Sequence, residues 1–349
     1  IEKVPRIWEV DHIPSASESQ RPILSVRNAA KTYHTKDHDK VFGTQAVKAV
    51  RDVSFDILEG ENFGIVGESG CGKSTLSRLL SWIEAPDRGD IFFDGKSISA
   101  MSAKEIKGLR CQFQLILQDP YTSLPAHMTI TQIIGEPLII HRLASGKALR
   151  ERVAEVMQEV GLALDTGNKL PFQLSASQRQ RVNIARAMVM KPRLLILDET
   201  LSSLDQLEQA RLLELFDKLQ AEHKFTYIFI SHDLALVRRA CARIGVMYLG
   251  RMVEIAENQE LFFEPRHPYS RAMLSAMPTI EKNRYDAKTH LLDGEPPSPV
   301  DIPSGCSFRT RCPNAVEACK TLDPILRTNG TTLVECHLYE ESVQEIQSA

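Results

Sequence analysis

The segment from Gly67 to Thr75 limits more strongly than any other what this chain can fold into. It matches the pattern G-x-x-x-x-G-K-[ST]. The apolar residues 62–66 before it predict a buried strand, and residues 75–80 after it predict the start of a helix. A strand, a glycine-rich loop and a helix in this order are the context in which the pattern binds phosphate groups. The alternative, a glycine turn that binds nothing, is disfavoured by this context.

The residue types in the motif suit a phosphate chain. Gly67, Gly70 and Gly72 allow backbone conformations that a Cβ would block, so that successive N–H groups can turn toward a phosphate. The following helix points its positive end at the same charge. Lys73 is expected to reach the β- and γ-phosphates, and Ser74 to ligate Mg²⁺. The predicted ATP-binding residues of the loop are Gly67, Ser69, Gly70, Cys71, Gly72, Lys73, Ser74 and Thr75.

Composition excludes several classes of protein. The 349 residues are 43% hydrophobic and 25% charged, which is ordinary for a globular chain. A formal net charge of −3 gives no general attraction to nucleic acid. No run approaches the ~18 apolar residues of a membrane span, so that any membrane role is expected to go through a partner. Seven cysteines, three of them scattered, favour a reducing compartment over a disulfide framework.

The pattern of apolar residues predicts an α/β fold. Strand patterns begin at residues 23–27, and residues 47–57 alternate as a pair of strands would. Residues 130–161 predict helix. The short apolar runs 194–197 and 226–230 are typical of central parallel strands. Strands that alternate with helices in this way imply a parallel sheet.

A second motif follows the run 194–197, where Asp198 and Glu199 end the predicted strand. A carboxylate at such a strand end can hold Mg²⁺, and the next one can orient or deprotonate a water that attacks the γ-phosphate. A solvated strand end is the alternative. The presence of both motifs in this order disfavours it.

With these motifs, roughly residues 23–265 resemble the ATP-binding subunits of ABC transporters. Gln118 matches the family's Q-loop glutamine, Asp205 its D-loop aspartate and His232 its switch histidine, while Tyr33 is the best candidate for the aromatic residue that stacks on adenine. Taken singly, Gln118, His232 and Tyr33 also suit a loop polar residue, a helix N-terminal residue and a strand aromatic. The implied catalytic residues are Glu199, His232 and Gln118, and the implied Mg²⁺ ligands are Ser74, Gln118 and Asp198.

The resemblance also identifies a signature loop, which in this family contacts the ATP of the partner subunit. Its residues here are Ser175, Ala176, Ser177 and Gln178, whereas the family usually has glycine at both central positions. A Cβ at each position is expected to narrow the allowed backbone and to crowd the partner's phosphate. Two unequal ATP sites in a heterodimer are the expected consequence.

The resemblance implies a particular assembly. Two ATP molecules lie at the interface of a dimer formed with a second, related ATPase subunit or domain. Closure of this dimer drives two transmembrane permease subunits, which contact the helical stretch 120–175. The site of action is the cytoplasmic face of the bacterial inner membrane, with an external solute-binding protein as an indirect partner and no nucleic acid. A soluble ABC ATPase that acts on DNA or ribosomes is the alternative, and an exporter subunit is a third possibility.

Four of the cysteines lie near the end of the chain, at positions 306, 312, 319 and 336. Cys306, Cys312, Cys319 and Cys336 are a full ligand set for Zn²⁺ or an iron–sulfur cluster, although they lack the C-x2-C pairs of many zinc sites. The block resembles the C-terminal extension of the oligopeptide, dipeptide and nickel branch, some of whose members carry a [4Fe–4S] cluster. The resemblance therefore favours a cluster over zinc or no metal. We expect it to clip the proline-rich tail in place.

The predicted organisation has three parts: residues 1–22 form a tail or linker, residues 23–265 an ABC ATPase domain with a helical subdomain at about 120–185, and residues 266–349 an extension with the four-cysteine metal site. The predicted fold is a P-loop NTPase core of ABC type with an N-terminal antiparallel β subdomain. The tripeptide Ile-Glu-Lys at the first residue recurs at 280–282. A preceding related ATPase domain in a tandem polypeptide is one interpretation, and a trimmed start with a chance match is the favoured one.

Overall fold

The computed structural model describes residues 21–36, 43–117, 123–202, 204–277 and 294–340. Two compact units are present. The first unit comprises Ile1–Ile57, Phe63–Ser99 and Ser231–Ala349, and the second comprises Leu58–Asn62 and Ala100–Ile230. Among the described residues, no helix is long and apolar enough to cross a membrane.

The first unit contains an N-terminal antiparallel sheet, as the sequence predicts. Its strands, in spatial order, are β2 (Thr44–Leu58), β1 (Pro22–Lys36), β4 (Arg88–Phe93) and β5 (Lys96–Ser97). Apolar side chains fix the register of β1 and β4, where Leu24 lies opposite Phe93 and Val26 opposite Ile91. All four of these side chains are buried.

Residues 47–57 form part of the single strand β2, so the prediction of a strand pair is wrong. The buried side chains are Val50 and then Val53, Phe55 and Ile57, which shifts their alternation by one residue. The shift falls at Asp52, whose φ of 52° is left-handed. Such a local irregularity turns the side chains over without reversing the chain. In a sequence, this change of phase resembles the break between two strands.

A second set of strands in the first unit leads to the predicted phosphate-binding loop. In spatial order they are β11 (Arg327–Asn329), β12 (Thr332–Val334), β10 (Arg251–Glu257), β9 (Arg243–Tyr248) and β3 (Asn62–Val66). Strands β3 and β9 are parallel, and β10 is antiparallel to both β9 and β12. Strand β12 belongs to the C-terminal extension, so the extension continues this set of strands.

The helices of the first unit are short. They are α1 (Lys73–Leu80), α7 (Leu234–Ala240), α8 (Asn258–Phe263), α9 (Pro268–Ser275) and α10 (Ala318–Thr321). A buried carboxylate fixes the chain before α9, because Glu254 accepts the N–H groups of Arg266 at 2.7 Å and His267 at 2.9 Å. A short 3₁₀ turn, His337–Tyr339, follows the last cysteine.

The second unit is a three-stranded parallel sheet with helices. Strand β7 (Leu194–Asp198) lies between β6 (Phe113–Ile116) and β8 (Thr226–Ile230), as the two apolar runs predict. Its helices are α2 (Ala103–Leu109), α3 (Ile130–Ile140), α4 (Gly146–Glu159), α5 (Ala176–Met188) and α6 (Gln206–His223), with 3₁₀ turns at Leu164–Asn168 and Pro171–Gln173.

Residues 130–161 are largely helical, as predicted, but they form two helices rather than one. Helix α3 ends at Ile140, Arg142 takes a left-handed φ of 57°, and α4 begins at Gly146. The two helices pack closely, since a Cβ at Gly135 would lie 3.1 Å from Leu149. Apolar residues continue through the break because both helices bury one face, so the apolar pattern alone did not reveal the turn.

Candidate nucleotide-binding site

The predicted phosphate-binding loop lies between β3 and α1, in the strand–loop–helix context that its motif requires. Two of its glycines are needed because other backbone segments pack against the loop. A Cβ at Gly67 would lie 2.2 Å from the carbonyl oxygen of Met247, and one at Gly72 would lie 2.1 Å from that of Ala49. Gly72 also has a φ of 110°, which L side chains rarely adopt. The loop shape is therefore set by its contacts with β2 and β9.

Lys73 is buried at the start of α1, and its ammonium group crosses the loop. Nζ donates to the carbonyl oxygens of Gly67 at 2.8 Å and Glu68 at 3.0 Å. Three other predicted ligand residues, Ser69, Gly70 and Ser74, are exposed. The loop thus combines a buried cation with the exposed residues Ser69, Gly70 and Ser74, which suits a phosphate chain.

The side chain of Cys71 has a structural place in the loop. It is buried, and burial raises the pKa of its thiol. The thiol packs against Gly67, whose Cβ would lie 2.8 Å from Sγ. A protonated, inaccessible thiol is a poor nucleophile, so the predicted contribution of Cys71 to ATP binding falls to its backbone.

Tyr33, the predicted adenine-stacking residue, lies near the end of β1. Its hydroxyl donates to Glu84 at 2.5 Å and also interacts with the side chain of Thr75. Burial raises the pKa of Tyr33, and the bond to Glu84 adds to this effect. These contacts place the tyrosine beside the start of α1.

His232, the predicted switch histidine, is exposed between two backbone anchors. On one side, Ser231 donates its N–H to the carbonyl oxygen of Ile65 in β3, at 3.1 Å. On the other, Asp233 caps α7 by accepting the N–H groups of Ala235 at 2.9 Å and Leu236 at 3.3 Å. The histidine backbone therefore runs beside the strand that enters the phosphate-binding loop.

In the second unit, Asp198 and Glu199 end β7 as predicted. Asp198 is only 4% exposed, which does not fit the alternative of a solvated strand end. Glu199 has a left-handed φ of 49°, and its N–H donates to the carbonyl oxygen of Ile230 at 2.9 Å. Non-glycine residues held in this conformation cluster at functional sites. The backbone thus holds Glu199 in a fixed orientation directly after a buried carboxylate.

The signature loop forms the start of α5. Ser175 caps the helix in a reciprocal arrangement with Gln178. Ala176 and Ser177 are the first two helical residues, and neither has a positive φ. A Cβ at these positions therefore causes no strain in this backbone, because helical geometry accommodates any L residue. The Ser177 hydroxyl instead donates to Glu208 at 2.5 Å and lowers the pKa of that carboxyl.

Glu208 connects the signature helix with the predicted D-loop. Asp205 caps α6 by accepting the N–H of Glu208 at 3.0 Å. Since Glu208 also accepts the Ser177 hydroxyl, one carboxylate joins the starts of α5 and α6. The sequence analysis did not single out Glu208, since a glutamate in a first helical turn is common. Gln118 and Ser203 lie outside the described residues.

The four predicted metal-binding cysteines are all described, and none forms a disulfide. The Cys306 N–H donates to the carbonyl oxygen of Cys319 at 2.9 Å, which brings these two chain segments together. Burial raises the pKa of Cys306 and of Cys336 to about 12 each, and the other thiols add to both shifts. Burial also raises the pKa of Cys312.

In the described part of the chain, no three His, Cys, Asp or Glu side chains are arranged to hold one metal ion. Zn²⁺ requires its sulfur ligands at about 2.3 Å from a single point. The arrangement of the four thiols therefore does not fit the zinc alternative. It gives no direct support for an iron–sulfur cluster either.

Two family models match the chain. The ABC transporter model matches residues 50–202, and the model of the C-terminal region of oligopeptide/dipeptide transporters matches residues 253–319. YkfD of Bacillus subtilis, a putative oligopeptide transport ATP-binding protein, is 45% identical over 301 residues, which are 85% of this chain and 92% of YkfD. The chain belongs to the ATP-binding proteins of ABC transporters.

Two further comparisons agree with this family. A putative peptide import ATP-binding protein of Brucella ovis is 43% identical over 311 residues, covering 88% of this chain and 95% of the relative. The solved dimeric structure of the ATP-binding cassette MJ0796, in a post-hydrolysis state with ADP and Pi, superimposes with a TM-score of 0.60 at 26% identity, covering 67% of this chain and 98% of that one. The predicted ABC ATPase activity and P-loop NTPase fold are confirmed. Nothing in these comparisons supports the nucleic-acid alternative.

The sequence analysis of this ABC ATPase missed a contact between its extension and the phosphate-binding loop. Arg311 donates from Nη1 and Nη2 to the two carboxylate oxygens of Glu68, at 2.8 and 3.0 Å. The Glu68 N–H donates to the hydroxyl of Tyr269 at 3.0 Å. The extension thus holds both the side chain and the backbone of a loop residue. Glu68 occupies a variable position of the motif, so its sequence gave no signal.

Aromatic packing keeps Arg311 in this position. The rings of Tyr248 and Tyr269 lie 4.7 Å apart, and the Phe308 ring lies 5.3 and 5.5 Å from them. Phe308 is 1% exposed, and the Arg311 guanidinium lies 5.9 Å from the centre of the Tyr248 ring. Because the Arg311 side chain is itself only 5% exposed, its paired charges lie largely out of water. Such a bidentate pair is stronger than an exposed one.

We expect Arg311→Met to weaken ATP binding about tenfold, because the loss of a partly buried charged pair leaves Glu68 uncompensated and costs about 1.5–3 kcal/mol. The ATP affinity of Arg311→Lys should fall between those of the unaltered protein and Arg311→Met, since lysine keeps the charge but cannot form a bidentate pair. Equilibrium binding of a fluorescent ATP analogue to the full chain provides the measurement. Arg309→Met is the matched control, because its guanidinium bonds to Ser304 within the extension.

A double-variant cycle separates loop positioning from general damage to the extension. If Arg311 acts through Glu68, then Arg311→Met in a Glu68→Gln background should add little to the loss caused by Glu68→Gln alone. Fully additive losses, or an Arg311→Met protein with unaltered ATP affinity, would contradict the positioning role.

Proposed function

We propose that this chain binds and hydrolyses ATP to power a peptide importer of the bacterial inner membrane. The observation that carries the proposal is a strand–loop–helix phosphate site in a chain that also holds Asp198 and Glu199 at a buried strand end. The names of the relatives refer to oligopeptide transport and peptide import, which supports peptides as the class of solute. Their high coverage supports a shared role for the whole described chain.

Binding of ATP falls to the first unit in this proposal. Lys73 neutralises the β- and γ-phosphates from a buried position, and N–H groups of the loop other than that of Glu68, which bonds to Tyr269, surround them. Tyr33 stacks on adenine, since its ring is anchored beside α1 by Glu84 and Thr75. The exposed Ser69, Gly70 and Ser74 supply further hydrogen bonds, in agreement with their place in the motif.

The catalytic roles follow from the types of side chain. Ser74, Gln118 and Asp198 offer the oxygen ligands that Mg²⁺ prefers, and the buried Asp198 suits such a site. A Mg²⁺ ion held there would supply positive charge to offset the charge that develops on the phosphates. Glu199 accepts a proton from the attacking water and orients it. His232 donates a hydrogen bond to the γ-phosphate, as a switch histidine.

The permease partners are proposed to bind the second unit. Between residues 139 and 172 this unit exposes five large apolar side chains to solvent, with exposed fractions from 51 to 68%. They are Ile139, Ile140, Leu143, Leu164 and Phe172. Exposed apolar side chains in such number mark a surface for a protein partner. They fall in the stretch 120–175 that the sequence analysis assigns to the permease contact, so the chain would act at the cytoplasmic face of the membrane.

Replacement of Glu199 tests the catalytic proposal in an assembled transporter. Glu199→Gln should retain ATP binding and lower both ATP turnover and peptide uptake into vesicles by about 10²-fold or more, because the water loses its base. Glu214→Gln, an exposed position on α6, is the matched control. Turnover of Glu199→Gln within about threefold of the unaltered protein would contradict the role.

We further propose a heterodimer with two unequal ATP sites. The helical start of α5 accommodates Ala176 and Ser177 without strain, so any cost of their side chains would fall on the partner's ATP site. The site built on Lys73 is completed by the partner's signature loop and would be the main hydrolytic one. In an assembly with a second, related ATPase, each ATP site would combine the phosphate-binding loop of one subunit with the signature loop of the other, so the two sites would differ.

Inactivation of each phosphate-binding loop in turn tests this asymmetry. Lys73→Ala should remove most of the ATP hydrolysis, whereas the same change in the partner subunit should leave most of it. Ala176→Gly with Ser177→Gly should then raise ATP hydrolysis at the partner's site, because no side chain approaches the phosphate of that ATP. Equal losses from the two lysine variants, measured as phosphate release by the assembled transporter, would refute the asymmetry.

The four thiols of the extension are proposed to hold a [4Fe–4S] cluster. Cysteine thiolates bind such a cluster at separate iron atoms, so the sulfurs surround a body of several atoms and need not converge on one point. The proximity of the thiols supports the proposal, since Cys306, Cys312 and Cys319 all raise the pKa of Cys336. The group would be structural, since ATP hydrolysis contains no electron transfer.

Anaerobically purified protein should contain iron and sulfide in equal amounts and show brown absorbance. Cys312→Ser should lose iron, whereas Cys111→Ser, a cysteine outside the extension, should retain it. Since Arg311 adjoins Cys312 and contacts Glu68, loss of the cluster is also expected to weaken ATP binding. Zinc without iron would favour the alternative metal, and protein without any metal would refute both.

A further inference from the structure

A polar cleft of about 510 Å³ lies in the first unit, lined by β1, β2, β4, the start of β10 and the extension. Its lining contains four cations and two carboxylates: Lys48, Arg51, Arg88, Arg251, Asp52 and Asp323. The formal charge of the lining is therefore positive by two. None of the predicted ATP-binding residues lines this cleft, although the cleft is large enough for a small ligand.

Arg251 has hydrogen-bonding capacity that the described residues do not use. Its side chain is 12% exposed, and its Nε and Nη1 atoms are buried without a hydrogen bond in the described part of the chain. The carboxylates of Asp323 and Glu335 lie 3.5 Å away, and that of Asp52 lies 3.9 Å away. These are ion-pair separations beyond good hydrogen-bond length. A buried guanidinium normally has partners for its N–H groups.

Arg51 lies close to Arg251, which adds an unfavourable interaction. Burial and then the charge of Arg251 lower the pKa of Arg51. Its Nη1 donates to the hydroxyl of Ser307 at 2.7 Å, which orients the group. An anion between two guanidinium groups would relieve their repulsion and accept their N–H groups in pairs. Lys48 and Arg88 are exposed and add positive charge at the rim of the cleft.

Backbone hydrogen bonds connect the cleft with the phosphate-binding loop. The Arg51 N–H donates to the carbonyl oxygen of Gly250 at 2.7 Å, and the Gly250 N–H donates to that of Cys71 at 2.8 Å. Arg251 directly follows Gly250 in the chain. A ligand that moves either arginine would therefore act on a residue bonded to the loop.

We propose that this cleft binds a small phosphate-bearing anion, held by the Arg51–Arg251 pair with Lys48 and Arg88 at the rim. The positive excess of two charges matches the charge of about −1.5 to −2 on a phosphate monoester at neutral pH. Two guanidinium groups also offer more N–H donors than one carboxylate can accept, whereas the oxygens of a phosphate can accept from both groups. The site is a second ligand site, separate from that for ATP and independent of the transported solute.

The test titrates inorganic diphosphate into the full chain with Lys73→Ala, which disables the phosphate-binding loop, and follows binding by calorimetry. Adding Lys48→Gln and Arg88→Gln should weaken binding by about tenfold or more, equivalent to about 1.4 kcal/mol. These exposed side chains are chosen because their replacement leaves the buried arginine pair intact. Lys96→Gln, an exposed lysine on β5 of the same sheet, is the matched control and should change affinity less than about twofold.

Two further titrations identify the ligand class. Adenosine monophosphate that binds as well as diphosphate would identify a phosphate ester as the ligand, and binding of diphosphate alone would identify an inorganic phosphate anion. Malonate that binds equally well would overturn the preference for phosphate. No diphosphate binding to the Lys73→Ala protein, or binding that Lys48→Gln and Arg88→Gln leave unchanged, would overturn the site itself. Peptide transport does not enter any of these measurements, so their outcome is independent of the proposed function.

Discussion

Close backbone packing around Gly67 and Gly72 is the constraint on which the rest of the first unit depends. The carbonyl oxygens of Met247 and Ala49 occupy the space that side chains at these glycines would fill. The loop is therefore held from two sides by β9 and β2. Each strand must keep its register for the loop to keep its shape, because closely packed protein interiors transmit small displacements. The phosphate site is in this sense a product of the surrounding sheet.

The extension takes part in the same construction. Strand β12 pairs with β10, the buried Glu254 fixes the backbone of Arg266 and His267, and burial lowers the pKa of His267 to about 3. The neutral His267 ring then accepts the N–H of Tyr269 at Nδ1, at 3.0 Å. Tyr269 in turn accepts the N–H of Glu68. A chain of short contacts thus runs from the extension into the phosphate-binding loop.

The sequence predicted best those elements in which one structural requirement determines the residue type at each position. The loop motif fixes residue types at fixed spacing, and β7 and β8 are uniformly apolar because they are buried on both faces. Prediction failed where a second structural requirement disturbed the regular pattern of apolar residues. In β2 the alternation changes phase at Asp52, and in β10 the charged Arg251 and the buried Glu254 interrupt an otherwise apolar run.

The least predictable part of the site is the pair of Glu68 and Arg311, whose positions are 243 residues apart. Neither residue occupies a position that a sequence motif fixes, and the packing of Phe308 among Tyr248 and Tyr269 helps to place them together. The predicted signature loop also could not be judged from its residue types alone. Its departures from glycine cause no strain in this chain, because Ala176 and Ser177 are helical and the serine has a local partner in Glu208. Any cost of these two side chains therefore does not arise within the fold of this chain.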